Sequence, residues 1–545
     1  MTYTAHVDTF ARDHLPPLNE WPELIFTLPE LHYPARLNCA VELLDRQVQA
    51  GHGAAIAIMG ADGTVWSYAE LLERVNRITY VLREDLGLLP GNRVLLRGAN
   101  SPMFAACWLA VVKAGLIAVG TMPMLRAKEL VDIISRAEVV AALCDAPLLD
   151  ELLMAQAQMP VLESIVKFHD ESPAGLEARM RASPTRGIAA PTAADDTCMI
   201  AFTSGTTGKP KGTMHFHRDV MAAADCFPRS TLRAEATDRF IGSPPLAFTF
   251  GLGGLLLFPL RMGASTVLLE KPTPDALLRG IEQHRATVLV TAPTAYRAIA
   301  LMLQGGGVAA DLSSLRKCVS AGEALPVATR LLWKETTGIE IIDGIGSTEL
   351  LHIFISHTDT AAKAGATGKP IPGYVARVVD EAGNPLPAGK VGRLAVKGPT
   401  GCRYLADPRQ SEYVQDGWNF TGDAYLVDDD GYFVYQARTD DMIISSGYNI
   451  AGPEVEDALL LHPAVAEAGV VGLPDADRGQ IVTAFVVLKP GQEATAEMAK
   501  TLQDFVKQTI APYKYPRAIR FILALPRTET GKVQRFRLRQ MEGPA

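Results

Sequence analysis

The feature that most restricts this chain is the ten-residue stretch Thr203–Gly212, which directly follows the apolar run Met199 to Phe202. The run reads as the end of a buried strand. Three glycines, four hydroxyls and two lysines then make a loop whose backbone can curl tightly and turn N–H groups, hydroxyls and positive charge toward one small volume. Such a volume suits a polyphosphate. A solvated turn of the same composition would not need the apolar strand before it.

Two familiar nucleotide loops do not fit. A nucleoside-triphosphatase loop places four residues between its first Gly and the Gly-Lys-Ser/Thr. Here Gly205 is followed by only two residues before Gly208 and Lys209, and Pro210 comes next. The segment Gly251 to Leu256 fails as a dinucleotide fingerprint because its sixth position is Leu. Instead, Thr203–Gly212 resembles the phosphate loop of the adenylate-forming superfamily, which contains acyl-CoA synthetases, peptide-synthetase adenylation domains and luciferases.

At 545 residues the chain exceeds what a single core supports, so at least two domains are expected. A net charge of −8 gives no reason to expect a nucleic-acid partner. The seven cysteines, Cys39, Cys107, Cys144, Cys198, Cys226, Cys318 and Cys402, are scattered without a Cys-x-x-Cys pair, which reads as reduced thiols in a cytoplasm. His215 and His217 have no ligand near them in sequence and are not expected to hold a metal. The N-terminus lacks the apolar centre of a signal peptide. The most apolar stretch, residues 246–260, is shorter than the roughly 20 residues of a bilayer span. It reads as buried chain lining a pocket, so no membrane span and a cytoplasmic location are expected.

Strand and helix patterns alternate twice. The first series contains a helix over 38–49 capped by Asn38, a capping box at Ser67 and Glu70, a strand at 94–96, a helix over 103–114 and strands at 139–144 and 164–168. The second has strands at 265–269, 287–291, 317–320 and 339–343, with helices over 276–284 and 294–303. After Gly368 short strands and turns predict an antiparallel β region to about residue 436. A compact α+β pattern follows Asp440, with helices over 453–461 and 495–509 and strands at 465–471, 481–488 and 518–523. The fold class expected is therefore α/β: a large N-terminal domain, 1–440, of two α/β subdomains plus a β-barrel-like subdomain, and a small α+β C-terminal domain, 441–545. Three candidate site segments, at Thr203, at Ser320 and at Asp343, fall at the carboxyl ends of strands, where ligands of open α/β sheets gather.

The segment Asp343–Glu349 predicts a tight turn with a hydroxyl at Thr348 and a carboxylate at Glu349. Mg²⁺ prefers hard oxygen ligands and bridges carboxylates to phosphates, so Glu349 is the expected metal ligand. Asp423, on a glycine turn after Trp418, suits the two hydroxyls of a ribose. Lys532 follows Gly531 on a turn near the C-terminus. In order, these segments resemble the superfamily's motifs over about residues 40 to 540. The resemblance implies a nucleotide site built from Thr203, Ser204, Gly205, Thr206, Thr207, Lys211, Gly322, Glu323, Ala324, Asp343, Gly344, Asp423 and Arg438. It further implies Asp440 as an interdomain hinge, Gly447 and Tyr448 beside a CoA tunnel, and Lys532, Thr348 and Glu349 as the catalytic residues. Its motif usually has Gly where Ala437 stands.

The reaction so implied joins a carboxylate to CoA through an acyl-adenylate, with ATP and CoA as cosubstrates, Mg²⁺ as cofactor, and a domain rotation about Asp440 between the two halves. Segments 245–253, 292–296, 320–324 and 343–355 are most similar to benzoate and 2-aminobenzoate CoA ligases, a subgroup in which Ile345 is typical. A flat ring would lie in a slot formed by Thr249, Phe250, Ala321, Ile345 and His352, with Thr249 and His352 facing an ortho substituent. The expected substrate is 2-aminobenzoate, then benzoate. A medium-chain fatty acyl-CoA ligase and a non-catalytic acyl-adenylate or nucleotide binder remain the alternatives. Oligomeric state stays open, a homodimer included.

Overall fold

The computed structural model describes residues 3–203, 210–305, 310–445, 448–475, 478–528 and 531–541. Two stacked α/β layers make its larger part. In the first, a six-stranded sheet runs Ser164–Phe168, Ala141–Asp145, Arg93–Arg97, Ile117–Thr121, Thr197–Thr203 and Lys211–Phe216. The first five strands are parallel, and Lys211–Phe216 closes the edge antiparallel to Thr197–Thr203, pairing Lys211 with Thr203. In the second, a nine-stranded sheet has six parallel strands at its centre, ordered Ile341–Gly346, Lys317–Ser320, Val288–Thr291, Arg239–Gly242, Ser265–Leu268 and Ile56–Gly60. Antiparallel strands flank them on both sides.

Helix Pro102–Lys113 is buried at every residue. A helix apolar on all sides belongs between layers rather than on a surface, and the Ser101 hydroxyl caps it by accepting from Phe104 N at 3.2 Å. The lone charge at its end, Lys113, is neutralised by donating to Asp45 Oδ1 at 2.5 Å and Asn76 Oδ1 at 2.7 Å. The apolar run 246–260 is helical from Thr249 to Met262 and lies deep in the core. Asn38 accepts from Val41 N at 3.4 Å, and the helical stretch after it ends where Gly51 adopts φ +93°.

The β-barrel-like subdomain is a five-stranded antiparallel sheet of Val375–Val379, Gly392–Lys397, Trp418–Val427, Val414–Gln415 and Phe433–Arg438. The smaller C-terminal domain packs helices Gly452–Leu460 and Ala496–Thr509 on strands Val465–Asp475, Gly479–Leu488 and Ala518–Phe521 around its own core of Val455, Leu459, Val470, Val482, Leu502 and Val506. Among the described residues no helix is long and apolar enough to cross a membrane. All seven cysteines are free and buried.

Two local expectations need correction. Asp343–Gly346 is strand, paired antiparallel with Ile353–Ser356, so the turn begins only at Ser347. Asp423 sits inside the continuous strand Trp418–Val427, and Gly422, at φ +76°, is an in-strand irregularity, not a loop.

Candidate active site

Thr203 and Lys211 face each other at the stem of the glycine-rich loop. The loop residues Ser204, Gly205, Thr206 and Thr207 lie outside the described residues. Segment 403–405 adds itself to the free edge of Lys211–Phe216: Met214 N donates to Arg403 O and Leu405 N to Gly212 O, each at 2.8 Å. Arg403 is anchored underneath by donating to Asp219 Oδ2 at 2.8 Å, an ion pair wholly out of solvent. That pairing aims Tyr404 at the site. Lys211 Nζ donates to Tyr404 Oη at 2.8 Å, and Tyr404 Oη donates to Glu349 Oε1 at 2.6 Å. Lys211 Nζ is also 3.7 Å from Glu349 Oε1. Burial and the neighbouring Glu349 carboxylate hold the Tyr404 hydroxyl far above its ordinary pKa, so it stays a donor. Thr348 is fixed through its carbonyl, 2.8 Å from His215 Nε2.

A second group converges from other elements. Gly322, at φ +91°, leaves room for the Lys532 stem, whose Cε would lie 3.9 Å from a Cβ built at position 322. The Lys532 ammonium stands close enough to Glu323 and Asp423 to favour the ionised form of both. Arg438 Nη1 donates to Asp423 Oδ1 at 3.2 Å and to Thr421 O at 2.9 Å. A side chain at Gly422 would come within 2.7 Å of Arg438 Nη2, which explains the glycine. Burial lifts the Glu323 carboxyl to about 7 against Arg527, Lys532 and Arg535. Burial likewise lifts Asp343 to about 7 against Arg330, and Asp343 Oδ1 has no hydrogen-bond partner. Gly344 packs against Ile353, while Ala324 is exposed beside Glu323. A carboxyl–guanidinium pair, a buried carboxyl oxygen without a partner and a lysine thus offer both donors and acceptors to a polar ligand.

Thr249, Ala321 and His352 are buried and Phe250 and Ile345 half-buried. The His352 ring lies 4.4 Å from Phe258, 5.7 Å from Phe250 and 6.0 Å from Phe227, centroid to centroid. It covers Gly253 so closely that a Cβ there would come within 2.2 Å of His352 Cδ2. Burial lowers the imidazole to about 3, which keeps it neutral. Nε2 meets Phe250 O at 3.3 Å and Nδ1 has no partner.

The structure thus brings Lys211 to Glu349, Asp423 to Arg438, and Lys532 to Gly322. Gly447 lies outside the described residues, as do the side chains of Asp440 and Tyr448. Tyr404 had no signal in spacing or composition, because its role depends on which edge segment 403–405 joins. His217, which has no candidate partner near it in sequence, gains two in space. Chain topology places Cys39 and Cys198 beside it, with all three donor atoms within 4.8 Å of one another.

Against known proteins, residues 44–404 match the model of the AMP-binding enzyme family, and residues 454–532 match that of the AMP-binding enzyme C-terminal domain. A benzoate–CoA ligase of Thauera aromatica is 38% identical over 518 residues, covering 94% of this chain and 98% of the relative. A 4-hydroxybenzoate–CoA/benzoate–CoA ligase of Rhodopseudomonas palustris is 34% identical, with coverages of 92% and 94%. The crystal structure of the anthranilate CoA ligase AuaEII in complex with anthranoyl-AMP superposes with a TM-score of 0.89 at 35% identity, covering 94% of this chain and 98% of that one. The chain belongs to the AMP-binding enzyme family of the adenylate-forming superfamily and is an AMP-forming acid–thiol ligase.

Proposed function

We propose that this ligase activates an aromatic carboxylate, 2-aminobenzoate in first place and benzoate next, through an aryl-adenylate to the aryl-CoA thioester. The observation that carries the aryl reading is the closure of the slot by His352. Its ring occupies the space over Gly253 between Phe250 and Phe258, which an alkyl chain would need for depth. A flat ring, by contrast, buries both faces against Phe250 and Ile345 without going deeper. Because Nε2 faces a carbonyl and so carries the proton, Nδ1 is an acceptor without a donor. An ortho amino group supplies that donor, and benzoate lacks it. The kinds of acid named for the relatives point the same way.

In this reading the acid's carboxylate attacks the α-phosphate of ATP and pyrophosphate leaves; the CoA thiol then displaces AMP. Lys532 steadies the charge that develops between carboxylate and α-phosphate, where a preplaced cation needs no reorganisation. Asp423 and Arg438 hold the ribose, and Asp343 with Gly322, Glu323, Ala324 and Gly344 frames the base. Thr203, Lys211 and the loop between them cradle the phosphates. The Mg²⁺ expected here fits the donor set: Glu349 Oε1 is taken by Tyr404, while Oε2 carries no hydrogen bond among the described residues. When bound, the ion would neutralise the β- and γ-phosphates. Residues 1–440 and 441–545 form the two domains, with Asp440 as hinge.

The experiment is an AMP and thioester assay with 2-aminobenzoate, benzoate, 2-hydroxybenzoate, hexanoate and octanoate, run on the wild type and on His352→Leu. We expect the highest kcat/KM with 2-aminobenzoate, and in the variant a loss of about 3- to 10-fold for that acid, the worth of one neutral hydrogen bond, with benzoate changed less. A higher kcat/KM for octanoate than for any aryl acid would remove the aryl reading and leave the ligase standing.

A further inference from the structure

Behind the phosphate-loop hairpin, away from the nucleotide, lies a group that the reaction does not use. Cys198 is in the strand Thr197–Thr203 that leads into the loop, His217 opens the helix His217–Phe227 that follows the return strand, and Cys39 begins the N-terminal helical stretch packed beneath both. None of the three has measurable exposure. His217 Nδ1 is 3.2 Å from Cys39 Sγ, and the two sulfurs and one imidazole nitrogen lie within 4.8 Å of one another. We infer that Cys39, Cys198 and His217 form a buried site for a divalent thiophilic cation, with Zn²⁺ the ion their donors fit.

Distance, charge and hydrogen bonding each support this. A tetrahedral ion with Zn–S of about 2.3 Å and Zn–N of about 2.0 Å separates its donors by roughly 3.5–3.8 Å, close to the spacing already present. Two thiolates and a neutral imidazole cancel a 2+ charge, so the occupied site is neutral, as a dry interior requires. Binding would break two S–H bonds, form two S–Zn bonds and send both protons to solvent. Present hydrogen bonds yield readily. Cys198 Sγ donates to His215 O at 3.5 Å and is in hydrogen-bonding contact with Cys39, while His217 Nδ1 accepts from Cys39 N at 3.1 Å and meets Cys39 Sγ at 3.2 Å, the contacts an ion there would replace. Nearby carboxylates do not compete: Asp196 is occupied by Thr4 and by the amides of Ala5 and Ala193. The His6 side chain is buried as well, and its Nε2 has no hydrogen-bond partner. Bound there, Zn²⁺ would tie the hairpin that carries Thr203 and Lys211 to the N-terminal helix.

The test is Zn²⁺ titration of the full chain against a colorimetric chelator, with proton release followed in weak buffer, for the wild type, Cys39→Ser and Cys198→Ser. AMP formation at the wild-type rate reports that each variant is folded. One equivalent per chain with release of two protons is expected in the wild type. Each serine variant should bind more than about 100-fold more weakly, since even the partners behind a ligand are worth 10- to 100-fold. On the unaltered protein, Cd²⁺ should raise a thiolate-to-metal charge-transfer band, which covers the case of a variant that does not fold. No such band, or Zn²⁺ bound with equal affinity in the cysteine variants, as at Glu349, would overturn the proposal. So would a Cys39–Cys198 disulfide in the protein as isolated.

Discussion

Single charged groups decide the chemistry, and their environments make them separable by experiment. Lys532 is exposed, is held by its own turn through Thr528, and packs only lightly over Gly322. Lys532→Ala should therefore fold normally, lose adenylation by about 10²–10³-fold, the usual scale for one preorganised donor, and keep thioester formation from synthetic aryl-adenylate and CoA. Equal loss in both halves would contradict its assignment. Asp343 differs because it is buried. Its carboxyl, lifted by burial to about 7, binds a proton more tightly in the folded than in the unfolded chain. The native state therefore loses stability as pH rises from about 4 to about 7, the sign opposite to that of a salt-bridged Asp. Without nucleotide, Asp343→Asn should leave Tm nearly unchanged at pH 4 and raise it by about 2–4 °C at pH 8 for each kcal/mol relieved. A flat difference across that range would show that burial does not strain the carboxylate.

Elements act by presenting several groups at once. The stem strands Thr197–Thr203 and Lys211–Phe216 and the added segment 403–405 carry Thr203, Lys211 and Tyr404 on one edge, while the turn after Ile341–Gly346 brings Glu349 to meet them. Tyr404 holds the Glu349 carboxylate in position and touches Lys211 at the same oxygen. Tyr404→Phe removes two charge-assisted hydrogen bonds, to Glu349 and from Lys211, each worth about 1.5–3 kcal/mol. The expected result is a Mg²⁺ requirement for AMP formation raised about tenfold or more with KM for the acid unchanged, read from Mg²⁺ titrations at fixed ATP. The strand ending at Thr203 was legible in the apolar run before it, while the return strand Lys211–Phe216 was not. Tyr404 was not, since no local pattern states that residues 403–405 dock beside Gly212 and Met214.

At the scale of the whole molecule, the C-terminal domain is docked so that Lys532 lies beside Gly322, Glu323 and Asp423. Two contacts outside the catalytic set support that pose: Arg527 Nη1 lies 3.6 Å from Glu323 Oε1, and Arg297 Nε donates to Ala466 O at 3.2 Å. Arg297→Ala should weaken the docked arrangement and slow adenylation by about 3- to 10-fold, the scale of one hydrogen bond. Thioester formation from preformed adenylate should not slow if, as proposed, that half uses another orientation of the domain. Stopped-flow measurement of the two halves separates them, and a slower second half would argue against two working orientations.

What the sequence determined by itself is local or periodic. Strand–helix alternation, the capping box at Ser67 and Glu70, the glycine-rich loop after its strand and the lysine beside Gly531 all follow from side-chain period, cap chemistry and backbone freedom within a few residues. Lys211, Glu349, Asp423, Arg438 and Lys532 are named as site residues through the resemblance of the ordered motifs to the adenylate-forming superfamily. Only the tertiary structure decided that Asp423 lies within a strand, that Tyr404 joins Lys211 to Glu349, that His352 packs over Gly253 between Phe250 and Phe258, and that Cys39, Cys198 and His217 meet. These facts depend on strand order and interlayer packing between residues far apart in the chain, and the free energy that sets them comes from burial and pairing of whole faces, which no short window of sequence contains.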